Sequence, residues 1–193
     1  MRRHGLFLAA TLTWLCSAGG AQAQHLYAGG LGGYGFGTEK HQPVNPYGVG
    51  LGLSAGIVLP VTPIYAGARI VGFFGAKGHV AEPTGTTTTS VELSRSYLTY
   101  GIDIGYEVGD TIVLRPMLGI GRAVLKAHAT STSTLSTSGT FHGSDGSLYL
   151  SPGVALLLKS GLLFMGLEGH YNFLTESRHV SGLSVLASLG VTL

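Results

Sequence analysis

From Tyr47 to Leu59 the sequence YGVGLGLSAGIVL separates into two interleaved sets. Tyr47, Val49, Leu51, Leu53, Ala55, Ile57 and Leu59 occupy the odd positions, and Gly48, Gly50, Gly52, Ser54, Gly56 and Val58 the even ones. Period-two alternation is the pattern of a β-strand, whose successive side chains point to opposite faces of a sheet. Here one face is continuously apolar and the other nearly bare. In a soluble sandwich or barrel an apolar face packs a core and interdigitates with bulky partners, yet the other face of this segment offers glycine and serine. Lipid needs no partner side chains. Thirteen residues rising about 3.3 Å each and tilted by about 40° cover roughly 33 Å along the membrane normal, enough for the hydrocarbon core and part of its interfaces. The segment is predicted to be one stave of a transmembrane β-barrel.

The N-terminus agrees with that destination. Arg2 and Arg3 precede an apolar run from Leu6 to Leu15, and Ala21-Gln22-Ala23 supplies small residues for a signal peptidase, so residues 1–23 read as a secretory signal peptide. The run is short for a transmembrane helix. Cys16 follows Thr13-Trp14-Leu15 rather than the small residues of a lipoprotein signal, and no lipid anchor is expected. Residues 24–193 then contain no cysteine, which removes disulfides and thiolate metal sites. Of 11 Lys and Arg, two lie in the leader, leaving nine against nine Asp and Glu. No basic footprint for nucleic acid remains. An apolar content of 45% without a long apolar run suits strands that donate alternate residues to lipid.

The same two-set reading extends along the chain and yields eight strands. Leu26 to Thr38 sends Leu26, Ala28, Tyr34 and Phe36 outward, with Tyr27 and Leu31 inward. After Tyr47–Leu59, Ile64 to Gly75 sends Ile64, Ala66, Ala68, Ile70 and Phe74 outward, and Tyr65, Arg69 and Phe73 inward. The fourth strand places Leu98, Tyr100, Ile102, Ile104, Tyr106 and Val108 outside, and Arg95, Tyr97, Thr99, Asp103 and Glu107 inside. The fifth has Ile112, Leu114, Leu118, Ile120 and Val124 outside, and Arg115 and Met117 inside. Leu148 to Leu158 is the sixth. The seventh has Leu163, Met165, Leu167, Tyr171 and Phe173 outside, and Glu168, His170 and Asn172 inside. Leu183 to Leu193 is the last.

Tight turns are expected at Pro60 to Thr62, Gly109-Asp110 and Lys159-Ser160. They alternate with longer polar links at Glu39 to Asn45, Ala76 to Val91, Lys126 to Gly146 and Thr175 to Ser181. Such alternation is expected when tight turns and both termini face the periplasm and long links face outward. Phe36, Tyr47, Phe74, Tyr171 and Phe173 would then form one aromatic girdle, with Tyr106 at the opposite rim. Pro116 and Pro152 remove ladder donors from strands without a free edge, so bulges or missing bonds are expected there.

In these features the chain resembles the small outer-membrane barrels of Gram-negative bacteria, the eight-stranded OmpA transmembrane-domain and OmpX-like group. The resemblance covers all of residues 24–193. It implies an eight-stranded antiparallel up-and-down transmembrane β-barrel, set in outer-membrane lipid and lipopolysaccharide and inserted by the outer-membrane barrel assembly machinery. The final strand of that group usually ends in Phe; Leu193 stands here. No periplasmic cell-wall tether is expected after it.

Charge follows the inward sets: Arg69, Arg95 and Arg115 against Asp103, Glu107 and Glu168. An arginine on the lipid face at mid-membrane costs about 2–4 kcal/mol, so the sorting itself supports the register. The turn near Gly109 should bring Asp103 opposite or diagonal to Arg115. Arg69 and Glu168 lie on diametrically opposed strands and could meet in so narrow a lumen. The favoured reading is a neutralised polar plug in place of an apolar core; the alternative is a charge-lined pore or gate for ions and small solutes. Arg122 stands among lipid-facing residues near the outer rim, where it either contacts lipopolysaccharide phosphates or snorkels to water, the favoured reading.

A lipid A-modifying enzyme is the rival class. Its nearest match is His170 with Asn172, and asparagine cannot be the nucleophile. Catalysis is therefore not expected. His128, His142 and Asp145 lack helical or tight-turn ligand spacing, so neither a metal nor another cofactor is expected. GTTTTS at Gly85 to Ser90 and ATSTSTLSTSG at Ala129 to Gly139 read as solvated loops, or as strands continued beyond the membrane. Three functions stand: a noncatalytic barrel for envelope structure or surface contact, a narrow pore, or the enzyme. The loops' ligand stays unnamed.

Overall fold

The computed structural model describes residues 25–38, 45, 47–60, 62–75, 78–84, 87–133, 139–175 and 181–193, with side chains described outside 76–93 and 127–145. The leader expected over 1–23 lies outside the described residues, as do 39–44 and 176–180 of the expected links. The strands are β1 His25–Gly37, β2 Gly48–Val58, β3 Ile64–Phe74, β4 Gly78–Thr84, β5 Thr87–Tyr106, β6 Ile112–Ser133, β7 Gly139–Ser160, β8 Leu163–Leu174 and β9 Gly182–Thr192. Sequence neighbours other than β3 and β4 pair antiparallel, β1 pairs β9, and β3 pairs β5, which closes the ring. The register against β5 steps by one residue between Phe74↔Ser96 and Gly78↔Leu93, so β3 and β4 share one stave. The ring therefore has eight staves, and closure leaves it no free edge.

Polarity across the wall is inverted relative to a soluble barrel. Leu51, Ile104 and Leu167 are 59%, 53% and 59% exposed, whereas Arg69 and Glu168 are each 6% exposed. An outward Leu53→Arg should cost about 2–4 kcal/mol of unfolding free energy. Urea titration in lipid vesicles checks it, and no loss would mean that this face is not lipid-facing.

Four expectations are amended. Tyr47 is fully buried rather than part of an outward girdle. Gly48 takes a positive φ of 65°, which breaks the alternation at the first residue of β2 and turns Tyr47 into the lumen. Lys159 and Ser160 belong to β7, and the turn is Gly161-Leu162, with Gly161 at φ 60°. The links after Phe74 and Val124 are largely strand: β5, β6 and β7 run for 20, 22 and 22 residues, against 11 to 13 for β1, β2, β3, β8 and β9. Their Thr-rich sequences favour extended backbone. Asp103 pairs with Gly119 rather than facing Arg115. Pairing resumes beyond Tyr106 at Val108↔Leu114, which brings Glu107 level with Arg115.

Both donor losses expected at proline show in the ladders as missing pairs without a shift of register. The β5–β6 ladder stops at Gly105↔Met117, short of Pro116, before the Val108↔Leu114 bridge. The β7–β8 ladder omits Ser151 and Pro152 between Leu150↔Phe173 and Gly153↔His170. Each proline stays paired on its other side, at Pro116↔Val154 and Leu118↔Pro152.

The interior is layered rather than uniformly polar. Toward the long links, Tyr47, Phe73, Tyr97, Tyr149, Leu31 and Leu186 form one buried cluster; toward the tight turns, Tyr27, Tyr65, Val113, Leu157 and Phe164 form another. Inward glycines make the room these rings need. A Cβ on Gly50 would lie 2.7 Å from the Phe73 ring, one on Gly121 2.7 Å from Tyr149, and one on Gly56 2.6 Å from Tyr65. The bare face of β2 is thus the counterpart of rings on its neighbours.

Candidate functional site

The charged residues lie between and within these aromatic layers. At mid-height, Arg69 on β3 donates to Asp103 on β5 at 3.1 Å and lies 3.8 Å from Glu168 on β8. β3 and β8 are four positions apart in the eight-membered ring, so this side chain crosses the interior to the opposite wall. Its Nη1 also lies 2.6 Å from His170 Nε2, which in turn lies 3.3 Å from Glu168 Oε2. That nitrogen accepts from Arg69 when bare and donates to Glu168 when protonated. All four side chains are buried.

Nearer the tight turns a second cluster centres on Glu107. Arg115 donates to Oε1 through Nε at 3.0 Å and also through Nη2, Lys159 donates to Oε2 at 3.1 Å, and the Tyr27 hydroxyl donates to Oε2 at 3.2 Å. The Arg115 guanidinium also sits 3.8 Å from the centroid of the Tyr65 ring and 4.6 Å from that of Tyr27, in cation–π range. Among the described residues each buried carboxylate therefore meets at least one cation.

Of the residues singled out in the sequence, Arg69, Asp103 and Glu168 come together, as do Glu107 and Arg115. Arg95 is half-buried and joins neither cluster among the described residues. Arg122 is exposed on the outer face, in register between Tyr100 and Leu148, and forms no ion pair among the described residues. Three members were missed. Lys159 is expected in a turn, although its odd position continues the inward set of Ala155 and Leu157. The sequence places His170 and Tyr27 inward, and His170 is the nearest match to a catalytic base, but neither joins the charged set there.

The clusters offer charge neutralisation rather than a nucleophile. Among the described residues no Ser or Thr hydroxyl is hydrogen-bonded to His170. Nor, among them, are three His, Cys, Asp or Glu side chains grouped as metal ligands.

No protein-family model matches the chain, and no curated protein does. Solved structures do. A major outer membrane protein from Thermus thermophilus aligns over 89% of this chain and 100% of its own, with 11% sequence identity and a TM-score of 0.66. The chain has the closed eight-stranded fold of that outer-membrane barrel. Ail, the attachment invasion locus protein of Yersinia pestis, aligns over 90% of this barrel and 100% of its own chain at 12% identity and a TM-score of 0.49. Neisserial surface protein A aligns over 91% and 100% at 12% identity and 0.47. At these identities the likeness is one of fold, and the barrel's activity rests on its own residues.

Proposed function

We propose that this barrel is a noncatalytic outer-membrane anchor that carries a four-stranded blade beyond its rim for contact at the cell surface. The observation that supports it is where pairing stops. The β1–β2 ladder ends at Gly35↔Gly48, β8–β9 at Asn172↔Gly182 and β7–β8 at Tyr149↔Leu174. The ladders β4–β5, β5–β6 and β6–β7 continue to Thr84↔Thr87, Thr89↔Ser133 and Ser131↔Gly139. A membrane strand needs about 9–11 residues, so strands of 20 and 22 residues reach well past it. Among the described residues, β4 and residues 139–147 of β7 are each paired on one side only. Open edges take up a further strand from a partner.

In this reading the leader over 1–23 directs export, the assembly machinery inserts the barrel, and the tight turns face the periplasm. The lumen is a plug. Arg69 reaches Glu168 across an interior that eight strands leave just wide enough for side chains. Single-channel recording in a planar bilayer should show no steady openings; openings abolished by Arg69→Met would establish the pore instead. Mass spectra of lipid A should be identical with and without expression, and a changed acyl pattern would revive the enzyme. Shortening both hairpins, by replacing 79–92 and 128–144 with Gly-Ser turns, should leave a barrel that still shifts in mobility on boiling. Binding of cells to host surfaces or glycans should fall to the level of cells lacking the protein. Unchanged binding would sink the surface-contact reading.

A further inference from the structure

Arg69, Arg95, Arg115 and Lys159 belong to the inward sets. Arg122 and Lys126 are, among the described residues, the only Lys or Arg on the outward face, and both are exposed without an ion pair there. They stand on one face of β6, about 13 Å apart along the strand. One membrane crossing of about 9–11 residues separates Ile112, the first residue of β6, from Arg122, which puts both cations at and just beyond the rim nearer the long strands. The wall around them is apolar. Tyr100 and Leu148, in register with Arg122, are 40% and 50% exposed, and Leu98 and Val124 stand between the two cations. A groove of about 700 Å³ adjoins this face, and Tyr100 lines it. Its lining continues toward the tight turns as a row in register across four staves, Ala28↔Ala55, Ala55↔Ala68 and Ala68↔Ile102.

We propose that this surface holds one molecule of lipid A, the phosphorylated acyl anchor of lipopolysaccharide, with a phosphate on each of Arg122 and Lys126 and an acyl chain in the groove beside Tyr100. The guanidinium of Arg122 can fork onto phosphate oxygens, and the Lys126 ammonium meets a second phosphate as a point charge. Two cations about 13 Å apart along a strand favour a headgroup with two separated phosphates over one with a single phosphate. Beside lipid each contact is screened less than it would be in bulk water. The groove supplies the other half of the fit, because a hydrocarbon chain fills the room that alanine leaves between larger outward residues. Snorkelling explains Arg122 alone; it accounts neither for a second unpaired cation on the same face nor for a groove running from its neighbour. The source of the lipid rests on the outer-membrane setting proposed above, whereas binding itself depends on neither orientation nor the blade's partner.

The test uses the mature chain, residues 24–193, folded in detergent micelles and read by native mass spectrometry. Its probes are lipid A with two phosphates, lipid A with one, and phosphatidylglycerol. One molecule of the diphosphorylated form should be retained per barrel, in preference to the other two. Arg122→Gln and Lys126→Gln should each weaken it about tenfold, the loss of one charge-assisted contact, and together should erase the preference for two phosphates. Ala55→Leu/Ala68→Leu fills the groove without touching charge and should weaken both forms of lipid A alike. Arg95→Gln, on the inward set, should leave binding unchanged. The variant with shortened hairpins keeps both cations and the groove and should bind as wild type, so lipid binding and surface contact are read separately. Mobility before and after boiling reports whether each variant folds. Wild-type affinity in the folded Arg122→Gln/Lys126→Gln variant would overturn the proposal. So would equal retention of all three lipids by the wild-type barrel, which needs no variant to read and marks contact with any anionic lipid.

Discussion

Arg69→Met should lower the unfolding free energy of the barrel by about 3–5 kcal/mol, the cost of stripping one partner from a buried ion pair. Arg69 is the only cation within 4 Å of Asp103 among the described residues, and it stands between Asp103 and Glu168. Methionine fills a similar volume, so the loss is electrostatic rather than a cavity. Two carboxylates would then share a desolvated interior without the cation that stands between them. The companion experiment replaces the set together, as Arg69→Met/Asp103→Leu/Glu168→Met. With no orphaned charge, most of the lost stability should return, because apolar replacement of a buried pair is often neutral. The single tryptophan, Trp14, lies in the expected leader. Urea titrations in vesicles are therefore best followed by the mobility shift on boiling. A single variant within about 0.5 kcal/mol of wild type, the range of surface substitutions, would show that the cluster carries no stability.

The second large effect is expected at Tyr47→Ala, about 3–5 kcal/mol, the range for removing a buried aromatic ring. Tyr47 packs between Phe73, with ring centroids 5.4 Å apart, and Tyr97, at 4.9 Å. The walls around it cannot close over the gap, because their glycines have no side chains to move in. Val49→Ala, two residues away and 52% exposed, removes only a methyl pair that lipid replaces, and should cost less than about 1 kcal/mol. An outward Tyr47 would share the lipid face with Val49, and its loss would then cost no more than about 1 kcal/mol as well. The pair therefore separates the lumen placement from the girdle placement by measurement.

The difference at Tyr47 shows how far the pattern of residues carries. Alternation is a local property, and eight strands, their faces and the inward sorting of Arg69, Asp103, Arg115 and Glu168 could all be read from it. A single left-handed glycine at position 48 resets the phase, and nothing in YGVGLG distinguishes a glycine that bends from one that merely makes room. Lys159 was lost to the same limit: the turn Gly161-Leu162 lies two residues beyond Lys159-Ser160, and element ends are set by backbone hydrogen bonds rather than by polarity. The threonine-rich links looked like loops because solvated strands have no apolar face to betray them. Once continued in register they become the blade, and His128 and His142, 14 positions apart in the chain, become direct neighbours.

Sequence alone therefore determined the architecture and the setting: a closed barrel with lipid outside, because a strand's faces alternate with its residues whatever its partners are. Only the tertiary structure decided who meets whom. Arg69 takes Asp103 and Glu168, Arg115 takes Glu107, and the inward rings fill the space left by glycines on neighbouring staves. Those pairings depend on register and on the narrow diameter of an eight-membered ring, which are properties of several strands at once and of no single segment.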